Sequence, residues 1–213
     1  MIQIGLPLGM NTALYSTGHL ILQILFNLQG STFVAGCSVA GKVTSLANLA
    51  IASLSSTMTV FSGQNLGAGN YRRLCRSAWL IPLSAGAITL SAGILVTIFC
   101  NPLLALFTHD TAVLAFATRY IHIVLPFTWM YAIMNVIMCF ANGIGEIKYP
   151  TIVNLFILWG VRIPVAYLLS RLGYGGYAMA SVPLSFLAGM ILMLFYFRTK
   201  RWAKLCALAK NEP

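Results

Sequence analysis

FSGQNLGAGNYRRLCR, residues Phe61 to Arg76, separates two long apolar runs with a glycine-rich polar corner and three arginines. Gly63, Gly67 and Gly69 supply backbone freedom for a tight reversal where side chains would collide. Arg72, Arg73 and Arg76 open the next apolar run, Ala78 to Cys100. An arginine cluster between two hydrophobic spans marks a cytoplasmic loop, so the corner implies a helical hairpin and its orientation in a bilayer.

Working outward, composition excludes a soluble globular domain. Hydrophobic residues make up 59% of the chain and charged ones 8%, against roughly 25% charged in average soluble proteins. Mean hydropathy is +0.86. At about 20 residues per spanning helix, the 213-residue chain has room for six spans. A transmembrane barrel needs short alternating strands, and unbroken runs such as Ile88 to Cys100 do not alternate. The fold class is therefore an all-α integral membrane protein. Its six spans are placed at about 4–28, 38–61, 78–100, 120–142, 149–169 and 177–197, with a basic cytoplasmic tail over 198–213. No basic n-region precedes the first apolar segment, so a cleavable signal peptide is not expected. The chain starts almost at once inside a span, which suggests truncation or a partial gene product.

Charge placement gives topology. Three basic residues in the corner, Lys148, and Arg198, Lys200, Arg201, Lys204 and Lys210 fall on one side, whereas only Arg119 and Arg171 fall on the other. Both termini are then cytoplasmic, and the basic groups face anionic lipid headgroups. The net charge of +10 does not point to nucleic acid, because no aromatic-interleaved basic face accompanies it. Five scattered cysteines without a C-x-x-C pair suggest unbridged thiols and no metal site.

Several spanning residues are candidates for a substrate cavity. Asn11, Tyr15, His19, Gln23 and Asn27 recur every four positions on the first helix, as either interhelical hydrogen-bond partners or a wet cavity wall. Lys42 lies about 28 Å from Phe61 along a helix, at the outer interface, where it snorkels or lines an outward-open cavity. Tyr131, Asn135 and Cys139 form a second polar row. Arg162 falls beyond the midplane, where an arginine costs on the order of 2.5–3.5 kcal/mol; it either snorkels outward or faces protein and water. Pro126 is expected to kink the fourth span, and Asp110 to cap a short surface helix within 101–119.

The sequence also resembles a known family. GQNLGAGNYRR looks like the loop after the second helix of each lobe in multidrug and toxic compound extrusion (MATE) transporters. Echoes follow in order: GLP at Gly5 to Pro7, FTHD at Phe107 to Asp110, NGIGEIKYP at Asn142 to Pro150, and RIP at Arg162 to Pro164. Within this motif loop the matching residues are Gly63, Gln64, Asn65, Gly67, Gly69, Arg72 and Arg73. The resemblance implies one six-helix lobe, the C-terminal one, of a two-lobe transporter. It further implies efflux of organic, often cationic, compounds by Na⁺ or H⁺ antiport, with no other cofactor. Because Asp110, Glu146 and Glu212, the only acids, lie outside the spans, the coupling ion is expected mainly in a second lobe. A flippase for lipids or lipid-linked glycans on the same scaffold, or a truncated half that does not transport, is the alternative. An intramembrane enzyme is not expected: there is no G-x-S-G turn with a matching histidine and no H-E-x-x-H.

Overall fold

A computed structural model describes residues 2–199 together with 202, 205, 207 and 208; the side chains of residues 2–12, 46 and 47 lie outside that description. The described elements are helical. They are α1 (Ile2–Asn27), α2 (Ser31–Gly67), α3 (Tyr71–Ile98), α4 (Cys100–Ala105), α5 (Thr111–Val124), α6 (Thr128–Gly143), α7 (Lys148–Phe156), α8 (Ile163–Arg171) and α9 (Ser181–Phe195). A 3₁₀ turn over Leu125–Phe127 joins α5 to α6, and a π-helical segment over Ile157–Arg162 joins α7 to α8.

Four continuous runs are long and apolar enough to cross a membrane: Tyr71–Ile98, Thr111–Gly143, Lys148–Arg171 and Gly175–Arg198. Helix α2 makes a fifth across a 50° bend between Ser45 and Asn48. Helix α1, with 26 residues and so about 39 Å long, has the length of a sixth.

The reversal after α2 uses one of the three glycines for its backbone. Gly69 has φ +74°, a left-handed value that side chains resist, and the Asn70 N–H donates to the Asn65 carbonyl at 2.9 Å. This is a Schellman-type stop. Gly63 instead lies within α2 and packs against the Gly143 carbonyl, while Gly67 ends the helix with open space around it.

The short surface helix expected between 101 and 119 is replaced by two elements. Cys100–Ala105 forms a six-residue turn, and Asp110 caps the fourth span itself, its carboxylate accepting from the Ala112 and Val113 N–H groups at 2.8 and 3.4 Å. The span does not end at Pro126, because a 3₁₀ turn passes the ring without breaking the helical path.

Helix α6 is the central element, packed on α2, α3 and α9. Its Val136, Ile137, Phe140 and Ala141 are fully enclosed. Small residues permit close approach: a Cβ on Gly36 would meet the backbone of α5, and one on Gly189 would meet Met134 and Ile157. Helix α1 is peripheral, touching α8, α2, α7 and the π segment. It is tied down by Gln29, which donates to Ser170 Oγ at 2.7 Å, and by Trp159, whose Nε1–H donates to the Leu14 carbonyl at 3.3 Å. At the chain's far end Phe197 stacks on Trp79 and meets Trp202 edge-on, with centroids at 4.3 and 4.9 Å. The basic tail residues Lys200, Arg201, Lys204 and Lys210 lie outside the described residues.

Candidate functional site

The bundle has two kinds of exposed surface. Helix α3 turns Leu80, Leu83, Ile88, Ile94, Leu95 and Ile98 outward, as a lipid-facing helix should. Helices α1 and α2 are mixed: Leu14, Leu20, Ile24, Leu49 and Val60 are exposed beside polar side chains. On α2, Ser53, Ser56, Thr57 and Gln64 line an open groove with Val60 and Phe61. The Ser56 and Thr57 hydroxyls donate to their own helix, to the Ala52 and Ser53 carbonyls at 2.6 and 2.9 Å. Such bonds let hydroxyls sit at bilayer depth while the face stays polar.

The polar row on α1 splits. Successive residues of an i, i+4 row drift by about 40° around a helix. Tyr15 accordingly remains beside the bundle and lines a small cavity, with the His19 ring edge-on to it at 4.7 Å. Gln23 has turned outward, and its amide donates to Asn27 at 3.1 Å. The Asn11 side chain lies outside the described residues.

Arg162 is the charged member of the cavity. It ends the π segment, where one extra residue per turn re-aims the side chains that follow. Pro164 contributes, since its missing N–H leaves the Gly160 carbonyl without its usual helical partner. Around Arg162 stand Tyr15, Tyr131, Met134, Asn154, Ile157 and Leu158, with Ser185 and Phe186 from α9. Tyr120 and His19 also lie within electrostatic reach of the guanidinium. The enclosed space is about 30 Å³, enough for a water or two.

A hydrogen-bonded chain leads away from this cavity. Asn135 donates through Nδ2 to the Tyr131 hydroxyl at 3.3 Å, and its Oδ1 accepts from Ser55 at 2.6 Å. The Cys139 thiol lies 3.9 Å from the same Oδ1. Asn135→Leu should lower the thermal midpoint by a few degrees, because interhelical hydrogen bonds in membranes contribute about 0.6 kcal/mol on average and up to about 1.7. An unchanged midpoint in detergent would show that Ser55 finds another acceptor at no cost.

Of the residues singled out by sequence, Tyr15, His19 and Arg162 come together, and Asn135 joins them through Tyr131. Lys42 does not: it is exposed, with its ammonium 5.7 Å from the Phe107 ring in the loop between α4 and α5. In the motif loop, Asn65 is buried and donates to the Phe61 carbonyl at 2.7 Å, and Arg73 lies over the Phe61 ring at 5.3 Å. Gln64 and Arg72 are exposed. These residues shape and flank the turn, and Gly63 packs it against α6.

A family model described as MatE matches residues 7–168. The chain belongs to the MATE family. Membership places it among integral membrane transporters and not among intramembrane enzymes. This MATE chain is 26% identical to the probable multidrug resistance protein YoeA of Bacillus subtilis, over 93% of its own length and 43% of that protein. It is 24% identical to the probable multidrug resistance protein NorM of Thermotoga maritima, over 100% and 46%. With the probable NorM of Haemophilus ducreyi it shares 30% over 89% and 43%. A solved outward-facing conformation of a multidrug resistance MATE family transporter of the MOP superfamily matches the fold with a TM-score of 0.78. The match covers 99% of this chain and 47% of that one, at 19% identity. The MATE chain thus spans about half the length of the curated relatives it matches, the extent of one lobe.

Sequence reasoning missed Tyr120, Ser55 and Asn154 as members of the Arg162 neighbourhood. Each sits on a different helix, and no spacing within one helix announces such a meeting. The available signal was weaker: an arginine inside a span requires polar partners from somewhere.

Proposed function

We propose that the chain is the C-terminal lobe of a two-lobe MATE transporter that extrudes organic, often cationic, drugs and xenobiotics across the cell membrane in exchange for Na⁺ or H⁺. The mixed face of α1 and α2 is the observation that carries this reading. Exposed His19, Gln23, Ser53, Ser56, Thr57 and Gln64 stand among Leu14, Leu20, Ile24, Leu49 and Val60, a mixed surface that suits a partly water-filled cleft against a second six-helix lobe. The multidrug resistance names of the relatives supply the substrate class.

The second lobe also supplies what this one lacks. A bound Na⁺ or a relayed proton calls for a carboxylate or a titratable histidine. Among the described residues no group of three or more His, Cys, Asp or Glu side chains converges. In this proposal the coupling ion is held mainly in the partner lobe, since no span here carries Asp or Glu. Efflux assays on cells producing the complete protein, with fluorescent cationic dyes and with lipid-linked glycans as competing substrates, test the reading. Energy-dependent dye extrusion supports it; transport of lipid-linked glycan alone would reassign the scaffold as a flippase.

In this reading both termini are cytoplasmic, and the basic corner and tail lie against anionic headgroups. Asn70 is exposed at the tip of the corner. In a cysteine-free background, Asn70→Cys should react with a membrane-impermeant thiol reagent only from the cytoplasmic side. Labelling from outside in intact cells would invert the topology.

A further inference from the structure

Among the described residues Arg162 has no carboxylate beside it. Of the chain's three acids, Asp110 caps α5 at one end of a span, Glu146 lies in the loop after α6, and Glu212 stands near the C-terminus. No spanning segment carries one. The Arg162 Nε–H is sealed from solvent and has no hydrogen-bond partner among the described residues. Neutral phenols soften the field of a half-buried guanidinium but do not cancel it, and a charge partly withdrawn from water without a counter-charge is costly.

The cavity beside it has the polarity of a donor site. The Tyr131 hydroxyl accepts from Asn135, which leaves its own O–H to give. Tyr15 and Asn154 add a hydroxyl and an amide. Ser185 is committed, its hydroxyl donating to the Val182 carbonyl at 2.5 Å. Entry is from the polar face, where Tyr15 is 36% exposed. The irregular π turn that presents Arg162 is a backbone feature frequent at functional sites.

We propose that Arg162, Tyr15, Tyr131 and Asn154 form a receptor for one small anionic group, a halide or a single carboxylate, at the wall of the α1–α2 face. The proposal goes beyond transport by this family and does not depend on it. A resident inorganic anion and the carboxylate of an organic molecule would be recognised by the same donors. A cavity of about 30 Å³ takes either a halide or the end of a larger carboxylate reaching in from the cleft.

The test uses the full-length protein purified in detergent and equilibrated in sodium methanesulfonate at constant ionic strength. Chloride, acetate and benzoate are titrated separately while the thermal midpoint is followed. A saturable rise that shifts with ligand concentration as mass action requires is expected for at least one of them. Chloride alone acting would assign a resident inorganic anion; benzoate acting at lower concentration than chloride would assign an organic carboxylate. Arg162→Gln should abolish the rise. Arg162→Lys, which keeps the charge but loses the planar fork, should weaken it by about tenfold. Tyr131→Phe provides a third variant if Arg162→Gln does not fold, and it should also raise the half-saturating concentration. Absence of any saturable response in the unmodified protein, or the same half-saturation in the Arg162→Lys and Tyr131→Phe variants, would overturn the proposal. A carboxylate from a second lobe already seated on Arg162 would give the first of these results.

Discussion

Gly143→Ala should lower the thermal midpoint of the protein sharply or prevent its accumulation in the membrane. Gly143 ends α6 where that helix crosses α2. A Cβ there would fall on the Thr59 carbonyl and the Ser62 hydroxyl oxygen. Neither has anywhere to go. The carbonyl is helix backbone, and the hydroxyl, on a fully buried serine, donates to the Met58 carbonyl at 2.7 Å. The approach is reciprocal, since the Cβ position of Gly63 lies 3.3 Å from the Gly143 carbonyl. One methyl group must therefore push two helix backbones apart where the end of α6 crosses α2, a kind of overpacking that costs about 1–3 kcal/mol and occasionally more. Gly41→Ala is the control. It has no atom within 4 Å of its Cβ position, so the same substitution should be neutral or gain up to about 1 kcal/mol from helix propensity. Thermal unfolding of both variants in detergent decides the matter, and equal midpoints would contradict the α2–α6 crossing.

The corner around Gly69 was legible in sequence because its cause is local: a residue that tolerates positive φ, placed after an apolar run. Asp110 was legible as a cap for the same reason. The length of the helix it caps was not. Arg119 read as a boundary and Pro126 as a kink within the span, yet Arg119 sits over the rings of Phe116 and Tyr177 at 5.8 and 5.2 Å, and the chain passes Pro126 in a 3₁₀ turn. Those accommodations are tertiary. The row from Asn11 to Asn27 showed polarity but not direction, because its drift moves Tyr15 and Gln23 to different sides of one helix. Arg162 stood out as an anomaly from the start. Its partners did not, because α1, α5, α6 and α9 bring them from far along the chain.

In the function proposed above, these 213 residues are one lobe of a secondary transporter and the ion-coupling carboxylate lies in the other lobe. That proposal rests on polar groups exposed among apolar ones on α1 and α2 and on acids that all lie outside the spans. Na⁺ needs oxygen ligands with a compensating charge, and a proton needs a group that exchanges it within the membrane. Within the spans His19 and His122 are the remaining titratable imidazoles. His19 is packed edge-on against Tyr15, and His122 holds the Thr118 carbonyl through Nδ1 at 2.8 Å. The direct measurement is reconstitution of the purified chain in liposomes under an imposed Na⁺ or H⁺ gradient, with uptake of a fluorescent cationic substrate followed in real time. The chain alone should show no gradient-dependent uptake, and the same assay on a protein that contains both lobes should restore it. Gradient-driven uptake by these 213 residues without a partner would contradict the account, and His19 would then be the first residue to replace.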